Sequence, residues 1–283
     1  MTASSVVLNA GGGGQRLASA VDANGLETLA VNVTGTEALA LAQGLIQGHT
    51  AVEKFGLNPL INTATDPEDI WNGGGLYTGF PTGAAETLEV FSSDANDTAA
   101  GTGARTVIVE NMLDANGVPQ PNITVALNGA TPVSLGAGVY SRAIRVGVLT
   151  AGSAESNLGE ITLRHTTTTT NVFAVMPVSY NQTTVCGYTV PAGHTLYLDN
   201  VQFQMARTGG LAGSANVSLR ARPFGGAFRA KISPTITDSQ GYTNLDSNYR
   251  VFTERTDIVA RVESVSDNGT IVSANLGGVL VVN

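Results

Sequence analysis

The chain of 283 residues carries few charges and many small side chains: charged residues make up 13 % of it, and Gly occupies 34 positions while Cys and Trp occur once each. This composition excludes a disulfide scaffold, which needs paired cysteines, and disorder, which combines low hydrophobicity with high net charge. No apolar run is long enough to predict a membrane-spanning helix, and residues 1–5 lack the pattern of a secretion signal, so we expect synthesis in a cytoplasm and no membrane partner.

Charge is divided unevenly along the chain. Residues 1–141 hold 13 acidic and 3 basic side chains, a net of −10, whereas residues 142–283 hold 9 acidic and 11 basic ones, a net of +2, which together give −8. An acidic chain repels phosphate, so we expect no nucleic-acid partner and interpret the basic residues at 220–231 as outward strand positions. The opposite signs predict attraction between the two halves, within a subunit or between subunits.

The first 57 residues are predicted to form an N-terminal arm and a helix. Residues 1–35 are small, polar and rich in Gly, which favours an extended or mobile segment with room for one short strand near residues 29–33.

The helix is predicted over residues 36–55. Thr36 is a suitable N-cap, and Leu41 and Leu45 recur at the spacing of one apolar helix face. Leu41 and Leu45 are therefore candidate interaction residues of this helix.

Residues 58–85 are predicted to form a connector, because Pro and Gly are too frequent there for long regular elements. The connector nevertheless contains Trp71, Tyr77 and Phe80, which are candidate interaction residues. Two interpretations stay open: the rings form an exposed surface that binds carbohydrate, or they pin the connector to a sheet.

From residue 86 onward, polarity alternates with a period of two, which is typical of strands with one buried face. We predict a mainly β protein, an antiparallel β-sandwich or jelly-roll-like body with a first β region at 86–141 and a C-terminal β-sandwich at 142–283. A parallel sheet is excluded because crossover helices are missing. The predicted strands span residues 86–91, 106–110, 122–127, 143–149, 160–164, 172–178, 185–190, 195–205, 215–222, 228–232, 257–262 and 279–282.

Residue types that carry chemistry are sparse. His49, His165 and His194 are far apart and match no zinc motif. Cys186 lies in a predicted strand, where an inert buried thiol is the better interpretation than a nucleophile paired with His194. No nucleophile elbow or phosphate loop occurs. We therefore predict no catalytic site, no cofactor and no metal site, and expect that the protein is not an enzyme.

Three Asp-containing segments, at residues 22–27, 94–98 and 114–117, place oxygen atoms at alternate positions. A calcium loop of the EF-hand type also needs an acidic residue at its twelfth position, and that residue is missing after Asp22 and Asp114. We interpret these segments as turns, in which Asp and Asn bond to their own backbone. Calcium binding by Asp94, Asp97 or Asp114 is left open.

Three segments resemble tailed-bacteriophage virion proteins. Gly187–Leu198 reads GYTVPAGHTLYL, Asn157–Leu163 reads NLGEITL, and Asp66–Tyr77 reads DPEDIWNGGGLY, the last resembling structural proteins of marine and cyanobacterial phages. The resemblance covers about residues 60–205.

The resemblance implies a structural component of a virion, made in the host cytoplasm. Within that class we expect a capsid decoration or cement protein that stabilises the particle through β contacts. Its expected partners are further copies of itself, with a trimer favoured, and the major capsid protein or other virion proteins. The alternative is a receptor- or carbohydrate-binding adhesin or tail-fibre module, and an enzyme is the third class.

Overall fold

The computed structural model describes residues 6–8, 15–21, 27–30, 37–207, 213–238 and 240–283. The chain divides into two compact units, Met1–His49 and Thr50–Asn283. In the described ranges no helix is long and apolar enough to cross a membrane.

The first unit contains an antiparallel three-stranded sheet in the order β1-β2-β3, followed by helix α1. Gly11–Gly14, the centre of the predicted arm, lie outside the described residues. The elements of this unit are β1 (Val6–Leu8), β2 (Gln15–Val21), β3 (Glu27–Ala30) and α1 (Glu37–Ala42).

The predicted helix is much shorter than expected, and its second half is wrong: strand β4 (His49–Ile61) occupies that part of the chain. Gly44 and Gly48 have φ angles of +68° and +73°, a conformation that ends helices and that residues with a Cβ rarely adopt. The two glycines therefore stop α1 and turn the chain into β4.

The second unit is built almost entirely from antiparallel strands, as predicted for the body of the protein. After β4, its strands are β5 (Glu68–Asp69), β6 (Leu88–Ser92), β7 (Ala104–Leu113), β8 (Pro119–Gln120), β9 (Ile123–Ala126), β10 (Val133–Ser134), β11 (Arg142–Ala151), β12 (Ile161–His165), β13 (Val172–Met176), β14 (Gly187–Thr189), β15 (His194–Arg207), β16 (Ser214–Arg222), β17 (Arg229–Ile232), β18 (Thr235–Thr237), β19 (Tyr242–Phe252), β20 (Asp257–Val265) and β21 (Thr270–Val282).

A first sandwich encloses one hydrophobic core. One of its sheets has the order β10-β6-β12-β13, and the other has the order β11-β7-β8 with β9 also paired to β7. Leu88, Leu163 and Phe173 of the first sheet share a core with Val107 and Val146 of the second, and all five are at most 1 % exposed. Along β6 and β12, buried residues alternate with partly exposed ones, and the buried residues form this inner face.

A second sandwich encloses another core. Its sheets have the orders β14-β20-β16-β17, with β5 and β18 attached to β20 and β16, and β19-β15-β21-β4. The inner faces contribute Leu196 and Phe203 from β15 and Leu219 from β16, which are almost fully buried. β15 and β21 pair along thirteen residue positions, from His194–Val282 to Arg207–Thr270.

A third buried cluster joins the two sandwiches, and we call it the seam. It contains Trp71, Tyr77 and Phe80 of the connector, Ile144 and Val175 of the first sandwich, Val259 of the second, and Val185, which precedes β14.

The observed strands cross the ranges predicted as separate β regions. β6 and β7, which lie in 86–141, pair with β12 and β11, which lie in 142–283. The mainly β, antiparallel class with one short helix among the described residues is confirmed.

Candidate functional site

The three aromatic residues singled out in the sequence come together in the seam. The ring centroids of Trp71 and Tyr77 are 5.1 Å apart and those of Tyr77 and Phe80 are 4.9 Å apart, both in edge-to-face geometry. Their exposed fractions are 5 %, 7 % and 6 %. The rings therefore pack inside the protein and present almost no surface to a carbohydrate.

Hydrogen bonds hold this connector in place. The Tyr77 hydroxyl donates to the backbone oxygen of Phe173 at 2.8 Å, and the Trp71 indole N–H donates to the backbone oxygen of Gly75 at 3.1 Å. Trp71 also forms an isolated β-bridge with Val185. Burial raises the pKa of Tyr77, so its hydroxyl remains a donor at all physiological pH values. The geometry is that of a connector pinned to the sheets on both sides.

The other two candidate interaction residues, Leu41 and Leu45, lie in the first unit. Leu41 is half-buried in α1, and Leu45 follows the helix and is 72 % exposed. A contact of these residues with a partner stays a prediction.

Buried charges flank the aromatic cluster. Arg142 of β11 and Arg222 of β16 both bond to the Asp257 carboxylate of β20, with Arg142 Nη2 at 2.9 Å from Asp257 Oδ2. Their side chains are 8 %, 12 % and 3 % exposed. Thr189 adds a hydroxyl donor at 2.7 Å to the same carboxylate. This cluster ties the first sandwich to the second by charge-assisted hydrogen bonds, which are the stronger kind.

Residues that could act chemically have structural partners instead. Cys186 is fully buried, and burial raises its pKa, so the reactive thiolate is suppressed. His165 is also fully buried, and its Nε2 lies 3.0 Å from the backbone oxygen of Tyr140. His194 Nδ1 lies 2.8 Å from the backbone oxygen of Ala192.

The Asp-containing turns use their oxygens in hydrogen bonds. Asp97 is fully buried and accepts four hydrogen bonds, from the Ser92 hydroxyl and the backbone N–H groups of Ala104, Leu158 and Gly159. Asp114 accepts from the N–H groups two and four residues onward. Among the described residues no group of three His, Cys, Asp or Glu side chains could hold a metal ion. Residues 22–26 of the remaining turn lie outside the described part.

An apolar surface lies on the outward face of the sheet β19-β15-β21-β4. Tyr197 of β15 pairs in register with Val251 of β19 on one side and with Val279 of β21 on the other. Tyr249 packs edge-to-face on Tyr197 with centroids 6.1 Å apart, and Val281 lies two positions beyond Val279. We call these five residues the outer patch.

Along each strand, residues of the outer patch alternate with residues that point into the core. Leu196, Leu198 and Leu280 point inward and are at most 9 % exposed, whereas Tyr249 and Val251 are 52 % and 56 % exposed. None of the five residues carries a charge. The sequence predicted β15 and hence an outward Tyr197, but it gave no signal for β19, which supplies the two most exposed members.

No protein-family model and no curated protein matches the chain. Among solved structures, that of infectious bursal disease virus Gx strain is similar at 12 % identity over 83 % of this chain and 73 % of that chain, with a TM-score of 0.24. The structure of the Gt strain of the same virus is similar at 11 % identity over 83 % and 72 %, with a TM-score of 0.21. TM-scores this low do not establish a shared fold, so the role of the protein rests on its own residues.

Proposed function

We propose that the protein is a structural component of a virus particle, and that it works through contacts between subunits rather than through catalysis. The observation that carries this proposal is the outer patch: three neighbouring strands present uncharged aromatic and β-branched side chains to solvent. Exposed apolar groups that are contiguous in this way are typical of interaction surfaces.

The sheet that bears the outer patch is suited to pairing with another copy. β19 is the terminal strand in the order β19-β15-β21-β4, so the backbone N–H and C=O groups along its outer edge can pair with a strand of another copy. Burial of apolar area contributes about 25 cal/mol per Å². With charged residues at only 13 %, little charge has to be desolvated when copies meet.

The more specific assignment rests on the sequence resemblance. In this assignment the protein is a capsid decoration or cement protein of a tailed bacteriophage. It assembles as a homo-oligomer, with a trimer favoured, and binds the major capsid protein. The adhesin alternative relied on Trp71, Tyr77 and Phe80, whose burial in the seam supports the pinning interpretation instead.

Self-association is the first test. Sedimentation velocity of the full chain should show a concentration-dependent oligomer, and Val251→Asp should shift it to the monomer because a carboxylate would be buried at the contact. Val139→Asp is the matched control, since Val139 is 48 % exposed and lies outside the patch. A wild-type monomer at high concentration, or equal association of both variants, contradicts the role of the patch.

Location is the second test. Particles released from the producing cells, purified by density gradient and treated with an antibody to this protein, should carry gold label at a regular, repeated position in negative-stain images. Protein that is abundant in the lysate but absent from purified particles would rule out the virion role.

A further inference from the structure

A cleft beside the seam combines open volume with unbalanced positive charge. Its volume is about 250 Å³, and Arg142, Arg222, Arg255 and Asp257 line it. No other charged residue is among the described residues that line it, so its formal charge is three positive minus one negative, or +2. The whole chain carries −8, so this cleft is a basic site on an acidic protein.

The excess charge is built into the floor of the cleft. The single Asp257 carboxylate receives Nε and Nη2 of Arg142 and Nε and Nη2 of Arg222. One buried carboxylate therefore serves two buried guanidinium groups, whereas buried charges in proteins are normally balanced by partners. A second anion in the cleft would complete this balance.

Donors remain for such an anion. Arg222 Nη2 also donates to the backbone oxygen of Phe80, but Arg222 Nη1 has no hydrogen-bond partner in the part of the chain that the structure describes. Arg255 stands at the wall, where its guanidinium carbon lies 3.4 Å from the centroid of the Phe224 ring and its Nη2 donates to the backbone oxygen of Ala115. Its Nε and Nη1 have no partner among the same residues.

We propose that this cleft binds a small organic carboxylate of the size of a sugar acid. A planar carboxylate matches the two parallel N–H groups of a guanidinium, and the volume suits a ligand of about a dozen non-hydrogen atoms. Thr82 and Ser141 line the same cleft. The Ser141 hydroxyl donates to the backbone oxygen of Asp114 at 2.6 Å and can accept a hydrogen bond from a ligand hydroxyl. The lining of the cleft includes no residue of the outer patch.

The test is a titration of the full-length protein with D-glucuronate. Binding is measured by isothermal calorimetry and by the NMR chemical-shift changes of the arginine side chains. Wild type should bind glucuronate and should not bind glucose, which lacks the carboxylate. Arg222→Gln leaves one guanidinium for Asp257 and lowers the formal charge of the cleft from +2 to +1. It should lose about tenfold or more in affinity, as the loss of a charged donor does.

Arg255→Gln gives a second, independent variant at the wall of the cleft, in case Arg222→Gln fails to fold. It should also weaken binding about tenfold. Arg229→Gln makes the same charge change at an exposed position of β17 and should bind as wild type does. Glucuronate that gives no signal with wild type, or binds all variants equally, overturns the proposal. Sulfate that competes as well as glucuronate overturns the assignment to carboxylates.

Discussion

Aromatic and β-branched side chains gather in two regions of residues 50–283, the seam between the sandwiches and the outer patch on the second sandwich. In the seam, Trp71, Tyr77 and Phe80 are covered by strands from both sides. In the outer patch, Tyr249 and Val251 are more than half exposed. The sequence left two interpretations open for the connector rings, contact with a partner or pinning of the connector to a sheet, and it did not predict the strand that carries Tyr249 and Val251.

The difference teaches that residue type alone does not separate a buried joint from a docking surface. The seam rings come from a loop that crosses between two sheets, and their polar atoms all find internal partners such as the Phe173 carbonyl. The outer patch comes from regular strands whose other face already fills a core. A substitution in the seam should therefore change the stability of one subunit, and one in the patch should change association.

The largest expected effect is at the charged cluster of Arg142, Arg222 and Asp257, which flanks the seam. Asp257→Asn leaves the buried Arg142 and Arg222 without their counter-charge and should lower the free energy of unfolding by about 3–5 kcal/mol. Urea denaturation followed by fluorescence of the single Trp measures it. Asp267→Asn, at a pair with Arg207 in which Asp267 is 45 % exposed, should cost about 1 kcal/mol or less. Equal costs would mean that the buried cluster does not fasten the sandwiches.

A smaller loss is expected when one hydrogen bond of the seam is removed. Tyr77→Phe deletes the hydroxyl and leaves the buried Phe173 carbonyl without that donor, which should cost about 1–2 kcal/mol. Guanidinium denaturation gives the value. Tyr180→Phe, at a side chain 42 % exposed, is the control and should change stability by less than about 0.5 kcal/mol. A loss for Tyr180→Phe as large as for Tyr77→Phe would contradict the pinning interpretation.

A charge that opposes folding lies on β4, beside Ile144 and Val185 of the seam. Lys54 lies over the Tyr188 ring, and burial, aided by the nearby Arg145, lowers its pKa from 10.5 to about 8. The unfolded chain therefore binds more protons between pH 8 and 10.5, so stability gains from this group as pH rises through that window, and the penalty is complete below pH 8.

Lys54→Met should consequently stabilise the protein by about 1 kcal/mol at pH 7, after allowance for partial solvent screening. The gain over wild type should shrink toward pH 10.5. Thermal unfolding of both proteins between pH 6 and 10.5 measures this difference, with Lys231→Met, the same substitution at an exposed position of β17, as the control. A gain that is independent of pH would locate the effect in packing rather than in charge.

The smallest effect on stability is expected at the outer patch. Val251→Asp changes a half-exposed side chain on a terminal strand and should alter the free energy of unfolding of the monomer by less than about 0.5 kcal/mol. Dilute samples, in which no oligomer forms, give the monomer value by urea denaturation. A loss of about 2 kcal/mol would show that the patch supports the subunit itself and would weaken its contrast with the seam.

Period-two alternation predicted most of the long strands, because each has one face in a core. β7, β11, β15, β16 and β20 all coincide with predicted strands, although several extend further than expected. β19 was missed because residues 243–248 in its centre contain a single apolar side chain, and because the strand lies at the sheet edge, where burial imposes little pattern. The first part of β4 was predicted as helix up to residue 55, because the apolar spacing around Leu41 and Leu45 was extended past two glycines that end the helix. The last residues of β4 fell in the predicted connector.

The sites were predictable only in part. Cys186 is buried, as the sequence indicated, although it lies directly before β14 and not within a strand. The pairing of Arg142 with Asp257 joins residues 115 positions apart, and the cleft between them exists only because two sandwiches meet. No local sequence pattern predicts a contact between residues so far apart in the chain.

The order of strands in the second sandwich has a consequence for synthesis on the ribosome. β21 follows every other strand in the chain, yet it lies between β15 and β4, so β4 has no partner in its sheet until residues 270–282 have been made. Translation proceeds at about 5–20 residues per second, so β4 waits on the order of ten seconds or more while over two hundred residues emerge. All strands of the first sandwich have been made once Met176 is added, well before β21. From then until β21 emerges, the nascent chain carries a complete first sandwich and an unpaired strand β4.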